Sequence, residues 1–317
     1  MSENVQNVQN TSSLKVMKEK DMKTVATTAK IMKVVGLIAV YAFLFFMALV
    51  VLFPFYWMLI SSVKSVTEYN LATPTLWPEV IHWDNYSRAL VAANLENVFK
   101  NTIYVGLVST VLSLVITVLS AFAFARLEFK GKNVMFAALL GTMMIPGELF
   151  TITNYQTVTQ LGWINMEKYG FTILIVPFLV SVFYIYLLRQ NFLQIPNELY
   201  LAAKVDGVSD LKYLWSVMIP LSLPTLISIT ILKMMGSWNT YVWPNLVVTG
   251  KFRENGKYLL VTNGIRGGDY SVEGAINTID YPVQMAAVAM VSLPLFLVFL
   301  FLRKYIMKGV SRSGIKG

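Results

Sequence analysis

The chain has 317 residues, of which 56% are apolar and only 14% are charged, and its mean hydropathy is +0.59. A soluble domain carries about 25% charged residues, so this chain has too few charges to cover a soluble surface. The composition argues against a soluble enzyme and against a disordered protein. It favours a membrane protein with several spans, and the length fits about five to seven helices with their loops.

The net charge of +9 comes from 26 basic and 17 acidic residues. In a membrane protein such an excess indicates basic cytoplasmic segments, so no nucleic-acid partner is needed to explain it. The chain has no Cys, and its single His is His82. Disulfides, thiolate or His-rich metal sites and Ser-His-Asp chemistry are therefore poor candidates, and we expect no catalytic or metal-ligating residue.

Runs without charged residues locate the membrane spans. Five runs have at least about 20 residues, enough to cross about 30 Å of hydrocarbon. A shorter sixth run of 15 residues could by itself be a buried or re-entrant segment. It stops at Glu148 and continues as apolar sequence beyond it, so we count it as a span as well. The spans are predicted at about residues 34–60, 101–125, 133–155, 169–188, 213–236 and 281–302.

The sequence therefore predicts an all-α polytopic membrane protein with six transmembrane helices. The membrane domain covers residues 34–303, between a polar N-terminal tail (1–33) and a C-terminal tail (304–317). With the N-terminus inside, 17 of the 26 basic residues fall in inner segments and eight in outer segments. The positive-inside rule then predicts that both termini are cytoplasmic.

The chain lacks an energy-conversion site of its own. It has no Walker A pattern, and its predicted spans contain almost no carboxylates. Proton-coupled carriers usually have acids or histidines inside their helices. A transporter of this composition would take its energy from a partner. The alternatives are a self-sufficient secondary carrier and an integral membrane enzyme.

The most informative segment is the loop between the fourth and fifth spans, residues 195–224, with the sequence IPNELYLAAKVDGVSDLKYLWSVMIPLSLP. Asn197 is predicted to cap a short helix from Glu198 to Val205. The dipeptide Asp206-Gly207 is a turn signal, because glycine readily adopts a positive φ.

A second short helix is predicted from Asp210 to Trp215, with Ser209 as its cap. Ala202 and Ala203 have small side chains, so another surface could approach the first helix closely. The loop is thus predicted to be a compact helix–turn–helix on the cytoplasmic face, within residues 195–215. From composition alone, an ordinary loop with two helical turns is the simpler interpretation.

This loop resembles the EAA motif of bacterial ABC importer permeases, whose pattern is roughly ELxEAAxxDGA followed, about eight residues later, by IxxP. The residues in register are Glu198, Leu199, Ala202, Ala203, Asp206, Gly207 and Pro220. The motif's own glutamate is replaced by Leu201, and its usual final alanine by Val208. The replacement by Leu201 removes a possible charged contact and adds apolar surface.

Further segments resemble the carbohydrate-uptake branch of these permeases, the type exemplified by maltose permeases. They are Asn85-Tyr86, the stretch from Ala125 to Lys132, Met144-Ile145-Pro146, the stretch from Leu188 to Phe192, Trp238-Asn239, Trp243-Pro244 and the tail from Ser313 to Gly317. The resemblance covers roughly residues 35–317. It implies a type I ABC importer permease, a multi-pass protein of the bacterial cytoplasmic membrane.

The resemblance also implies how such a chain works. The short helix of the loop would couple to a cytoplasmic ATPase through Glu198, Leu201, Ala202, Ala203, Asp206 and Gly207. A second permease subunit, two ATP-binding cassette subunits and an extracellular solute-binding protein would complete the importer. This chain would bind no cofactor, and ATP and Mg²⁺ would bind to the ATPase. The cargo would be a sugar or oligosaccharide.

Candidate pathway residues follow the fifth span. Trp238, Tyr241 and Trp243 offer flat apolar faces for sugar rings, and Asn239 offers hydrogen bonds; an interfacial aromatic belt is the alternative for the tryptophans. Glu148 and Asn154 are weaker candidates, and for Glu148 a carboxylate that extends to the outer surface is the preferred alternative. Lys233, inside the fifth span, is expected to extend its ammonium to the outer interface. The outer loop from Trp238 to Val283 is expected to reach the binding protein.

Overall fold

A computed structural model describes the backbone of residues 2–272 and 278–311 and the side chains of residues 32–272 and 278–303. The chain divides into two compact units, Met1–Leu59 and Ile60–Gly317. Within the described residues the regular structure is helical, apart from one isolated β-bridge between Ser271 and Ile279. The all-α fold class predicted from the sequence is therefore confirmed.

The described residues form sixteen α-helices and three other helical segments. The α-helices are α1 Ser2–Ser61, α2 Val66–Tyr69, α3 Asp84–Ala92, α4 Leu95–Arg126, α5 Lys132–Thr142, α6 Gly147–Gln160, α7 Thr172–Ile175, α8 Val182–Leu193, α9 Asn197–Val205, α10 Asp210–Tyr213, α11 Ile219–Leu221, α12 Leu223–Asn239, α13 Val242–Val247, α14 Gly250–Glu254, α15 Val261–Gly267 and α16 Tyr281–Ser311. The other segments are the 3₁₀-helices Glu167–Tyr169 and Val176–Phe178 and the π-helix Leu214–Met218.

Three single helices are long and apolar enough to cross a membrane. They are Met32–Ser61 within α1, Leu95–Arg126, which is α4, and Tyr281–Arg303 within α16. They contain the predicted spans 34–60, 101–125 and 281–302. Pro54 lies inside α1, and a proline of this kind is tolerated in transmembrane helices.

The other three predicted spans are bent pairs of helices. The bend is 95° between Lys132–Thr142 and Gly147–Gln160, 49° between Glu167–Phe178 and Val182–Leu193, and 81° between Asp210–Leu221 and Leu223–Asn239. If each pair crosses the membrane once, the described residues contain six candidate spans, in agreement with the prediction.

The predicted spans 169–188 and 213–236, which were expected to be single helices, are thus each broken, and so is the span 133–155, for which a re-entrant segment was the alternative. Prolines lie at these breaks: Pro146 directly precedes α6, Pro177 lies in the 3₁₀ segment before α8, and Pro224 lies in the first turn of α12. A proline has no N–H to continue a helix and disfavours helical geometry in the preceding residue.

The second unit is organised around α4, which packs against α8 and α12. The buried face of α4 is rich in small polar side chains, namely Thr102, Ser109, Thr110, Ser113 and Thr117. Small residues let membrane helices approach closely, and their hydroxyls can bond to backbone carbonyls of their own helix, as Thr102 does to Val98. This packing holds α8 and α12 in place beside the cavity described below.

An apolar cluster lies at the C-terminal end of α4, just before Leu127. It includes Leu188 and Phe192 of α8 together with Tyr213 and Leu214, and Tyr200 of α9 packs against it. The side chains of Leu188, Phe192 and Leu214 are fully buried. Helix α9 is therefore packed against this apolar cluster.

Candidate functional site

The loop between the fourth and fifth spans forms the predicted helix–turn–helix. Helix α9 covers Asn197–Val205, and Gly207 turns the chain with a φ of +72°. Helix α10 covers Asp210–Tyr213, and a π-helix follows it directly. The second helix thus ends two residues before Trp215, the predicted end.

Of the two predicted N-terminal helix caps, the one at Ser209 is present and the one at Asn197 is not. Ser209 caps α10, because its Oγ accepts a hydrogen bond from the backbone N–H of Lys212 at 3.4 Å. Asn197 does not cap α9, because the helix begins at Asn197 itself and Pro196 occupies the cap position. The Asn197 Oδ1 instead accepts a hydrogen bond from Nη1 of Arg126 at 3.3 Å.

Arg126, the last residue of α4, anchors the start of this loop. Its Nη2 donates to the carbonyl oxygens of Phe192 at 2.9 Å and of Ile195 at 2.5 Å. The side chain is buried, with 9% of its surface exposed. One guanidinium group thus binds the end of α8 and the entry to α9, a role that the sequence reasoning did not assign.

Helix α9 has one packed face and one open face. Tyr200 and Ala203 face the apolar cluster. The open face carries Glu198, Leu201, Ala202 and Val205. Leu201 is 55% exposed and Val205 88% exposed. Three of the six predicted coupling residues therefore share the open face; Asp206 and Gly207 are exposed in the turn, and Ala203 is half-buried.

A polar group of three residues joins α9 to α10. The Tyr200 hydroxyl and the Lys204 ammonium donate to the same oxygen of Asp210, at 2.8 Å and 2.6 Å. The hydrogen bond from Lys204, and then that from Tyr200, lowers the pKa of the Asp210 carboxyl. The pKa of Lys204 is raised, mainly by its hydrogen bond to Asp210. The pair is thus charged at neutral pH and links the two helices.

A cavity of about 690 Å³ lies in the second unit. Residues of α4, α5, α6, the broken segment around α8, α12 and α13 line it. Its wall is mostly apolar and aromatic, with polar side chains from Ser109, Asn154, Ser181, Lys233, Ser237 and Thr240. Such a lining suits a ligand that has both apolar faces and hydroxyl groups.

Two of the predicted pathway residues line this cavity. Asn154 reaches it from α6, and Trp243 from α13. The indole N–H of Trp243 donates to the carbonyl oxygen of Ile173 at 2.9 Å, and the indole ring meets Phe178 edge-on with centroids 5.4 Å apart. The Trp243 ring is thus held in a fixed orientation at the cavity wall.

The other four predicted pathway residues lie outside the cavity lining. Trp238 is buried against Phe99, with ring centroids 5.7 Å apart. The Tyr241 ring lies 4.5 Å from the guanidinium of Arg266. Asn239 and Glu148 are exposed. Trp238 and Trp243, which the sequence reasoning grouped together, point into different parts of the protein.

Lys233, which was expected to extend to the outer interface, lines the cavity, and its reach to that interface stays a prediction. Its ammonium donates to the carbonyl oxygen of Phe178 at 2.6 Å, and its side chain lines the cavity. The sequence signal was a lone charge in an apolar run, which is a standard pointer to a pathway.

The predicted outer loop is partly a packing element. Tyr258 and Leu260 are buried in one apolar cluster together with Val105 of α4, and Val261 is buried in a second cluster together with Val98 of α4. The Asn101 side chain donates to the carbonyl oxygens of Lys257 and Leu259. In the described part of the chain, no group of three or more His, Cys, Asp or Glu residues is placed to hold a metal ion.

Comparison with protein families gives one match that covers most of the chain. The family described as "Binding-protein-dependent transport system inner membrane component" matches residues 30–312. The chain belongs to this family. It is a transport permease subunit, and it is a multi-pass protein of the bacterial cytoplasmic membrane.

Individual permeases of this family are similar along most of their length. A probable ABC transporter permease of Mycoplasma pneumoniae, the MG189 homolog, is 31% identical over 85% of each chain. The arabinooligosaccharides transport system permease AraQ of Bacillus subtilis is 28% identical over 86% of this chain and 92% of its own.

A solved structure confirms the permease fold. It is a chain of a bacterial ABC transporter involved in the import of the acidic polysaccharide alginate. The TM-score is 0.73 at 25% identity, over 84% of this chain and 95% of that chain. The type I ABC importer permease architecture implied by the sequence resemblance is thereby supported along the membrane domain.

Proposed function

We propose that this permease forms half of the translocation pathway of an ATP-driven importer for a sugar or oligosaccharide. The observation that carries the proposal is the cavity, where the fixed indole of Trp243 lies in one wall with the side chains of Asn154, Ser237 and Thr240. Sugars present C–H faces that pack on aromatic rings and hydroxyls that need polar partners. The relative AraQ is named for arabinooligosaccharides, which is consistent with such a cargo.

The proposed contact with the ATPase is the open face of α9. Leu201 and Val205 lie one helical turn apart and form an apolar ridge, with Ala202 beside it. A small residue next to exposed apolar groups fits a helix that enters a cleft on another protein. Leu201 replaces the glutamate usual in the motif, so apolar contact takes the place of a charged one at this point.

The proposed force path runs from α9 into the membrane helices. Arg126 fixes the loop entry to α4, and the Tyr200–Lys204–Asp210 group fixes α9 to α10. Helix α10 continues through the π-helix towards α12. Closure of an ATPase dimer would thus move α4 and α12, the two helices beside the cavity, as a rigid-body switch.

The proposed assembly contains two permeases, two ATPases and an extracellular binding protein. ATP and Mg²⁺ bind to the ATPase subunits, and this chain binds no cofactor. The exposed apolar side of α4, which includes Ile103, Leu107 and Val111, offers a surface for the second permease. A self-sufficient carrier is less well supported, because no acidic residue lines the cavity within the described part of the chain.

Uptake by reconstituted protein tests this proposal. Proteoliposomes would contain either this chain alone or the full set of permeases and ATPases, with binding protein and labelled oligosaccharide outside and ATP inside. We expect uptake only from the full set, and only with both ATP and binding protein present. Uptake by this chain alone without ATP would overturn the proposal in favour of a secondary carrier.

A further inference from the structure

Lys233 is a charge in an apolar helix. It lies just past the middle of α12, between the apolar residues Leu232 and Met234. A charge inside a membrane span is costly, so such residues are rare and usually line a substrate or ion path. The position of Lys233 in the cavity wall agrees with that role.

The ammonium of Lys233 has more N–H donors than its one hydrogen bond uses. One N–H donates to the carbonyl oxygen of Phe178 at 2.6 Å. Phe178 ends the 3₁₀ segment Val176–Phe178, just before the break that precedes α8, and carbonyls at helix ends lack partners within the helix. Because an ammonium has three N–H donors, two remain for another acceptor.

The charge of Lys233 is not balanced by an acid of the cavity wall. Among the described residues, Lys233 is the one charged side chain in the lining, and none of the ion pairs found there involves it. Glu148, which lies between the lining residues Gly147 and Phe150 in sequence, is exposed and is not itself part of the lining. A partly desolvated cation without a counter-ion favours an anionic ligand.

We propose that Lys233 is a specificity-determining residue of the pathway, and that it binds the carboxylate of an acidic oligosaccharide that contains uronate units. This inference rests on the proposed function. The two remaining donors and the single positive charge of one ammonium match one carboxylate group, whereas a phosphate monoester carries a charge of about −1.5 to −2 at pH 7 and would be only partly neutralised. Trp243 and Asn154, which line the same cavity, would contact the sugar ring and its hydroxyls.

The test compares two oligosaccharides of equal length, one with uronate units and one neutral, and a phosphorylated sugar as a third arm. Initial rates of uptake are measured in proteoliposomes with the full transporter and saturating binding protein. The variants are Lys233→Gln and Lys233→Arg. Lys130→Gln serves as the control, because it removes an equal charge from an exposed loop position.

We expect wild-type protein to take up the uronate compound faster than the neutral one. Lys233→Gln lowers the uronate rate about ten-fold or more, a factor that corresponds to about 1.4 kcal/mol, and changes the neutral rate less than about two-fold. Lys233→Arg keeps most of the uronate rate, because it keeps the charge. Lys130→Gln leaves both rates unchanged.

Other results would overturn the inference. Equal losses for both compounds in Lys233→Gln would mean that Lys233 only supports the break near Phe178. ATP-dependent uptake of the neutral compound alone, or a preference for the phosphorylated sugar, would reject the carboxylate and leave the proposed function standing. Absence of ATP-dependent uptake for every compound would reject the proposed function as well.

Discussion

The Nη2 of Arg126 lies 2.5 Å from the carbonyl oxygen of Ile195, so the last residue of α4 is hydrogen-bonded to the chain just before α9. The same nitrogen bonds to the Phe192 carbonyl at the end of α8. Three elements therefore meet at one buried guanidinium. Because a buried charged hydrogen bond resists rearrangement, α9 and α4 are expected to move together.

The first prediction concerns this junction. Arg126→Met keeps the apolar stem but leaves the carbonyl oxygens of Phe192 and Ile195 without their donor, at a cost of about 1–3 kcal/mol. We expect a lower midpoint of thermal unfolding for the purified transporter, together with ATP hydrolysis that no longer drives uptake. Lys130→Met, an exposed change a few residues away, is the control. An unchanged midpoint in Arg126→Met would contradict the anchoring role.

The second prediction concerns the apolar ridge of α9. Leu201→Ser removes exposed apolar surface without disturbing the packed face, so the permease should fold as before and bind the ATPase less tightly. The measurement is co-purification of the ATPase with the permease, followed by uptake.

Leu161→Ser is a matched control for the ridge, because Leu161 is 57% exposed and Leu201 55%. Leu161 lies in the predicted outer segment, so its change should leave ATPase binding intact. If both variants retain the ATPase equally, the ridge is not the docking surface.

The third prediction concerns the turn at Gly207. The φ of Gly207 is +72°, which proline cannot adopt because its ring fixes φ near −65°. An added Cβ at this position would meet no atom within 4 Å. Gly207→Pro should therefore change the backbone conformation of the turn without a side-chain clash. We expect it to abolish uptake and to leave membrane insertion intact. Gly207→Asn should retain most uptake, because asparagine tolerates a positive φ. Full uptake by Gly207→Pro would remove the coupling role of this turn.

The sequence predicted the helix–turn–helix well because its signals are local. Gly207 and Ser209 act on their own backbone, and their effects can be read within a few residues. The number of spans followed from apolar runs for the same reason. The bends near Pro146 and Pro224 were missed, because a composition window counts a proline in an apolar run as one more span residue.

The candidate site was less predictable because it depends on distant residues. Lys233 meets a carbonyl 55 positions away in sequence, and Trp243 meets one 70 positions away. Neither partner is visible as a motif. Trp238 and Trp243 are five residues apart, yet a change of helix between them places their buried rings in two different apolar clusters, and of the two only Trp243 also lines the cavity.

The last prediction concerns Tyr270, whose ring is buried in the apolar cluster that contains Val261 and Ala286. Among the described residues its hydroxyl has no hydrogen-bond partner, and burial raises its pKa to about 12. The neutral phenol is thus favoured by the folded state. The stabilisation of the folded state that is linked to this raised pKa is fully present below pH about 10, the ordinary tyrosine value. It is lost as the pH rises through about 12.

Tyr270→Phe keeps the ring and removes the unpartnered hydroxyl, so stability at neutral pH should stay within about 1 kcal/mol of wild type. The measurement is the difference in tyrosinate absorbance between wild type and variant during a pH titration. We expect that difference to rise near pH 12 rather than near 10, and the loss of stability at high pH to be smaller in the variant. A difference that titrates near 10 would mean that the Tyr270 hydroxyl is in contact with water, and the buried position would then be wrong.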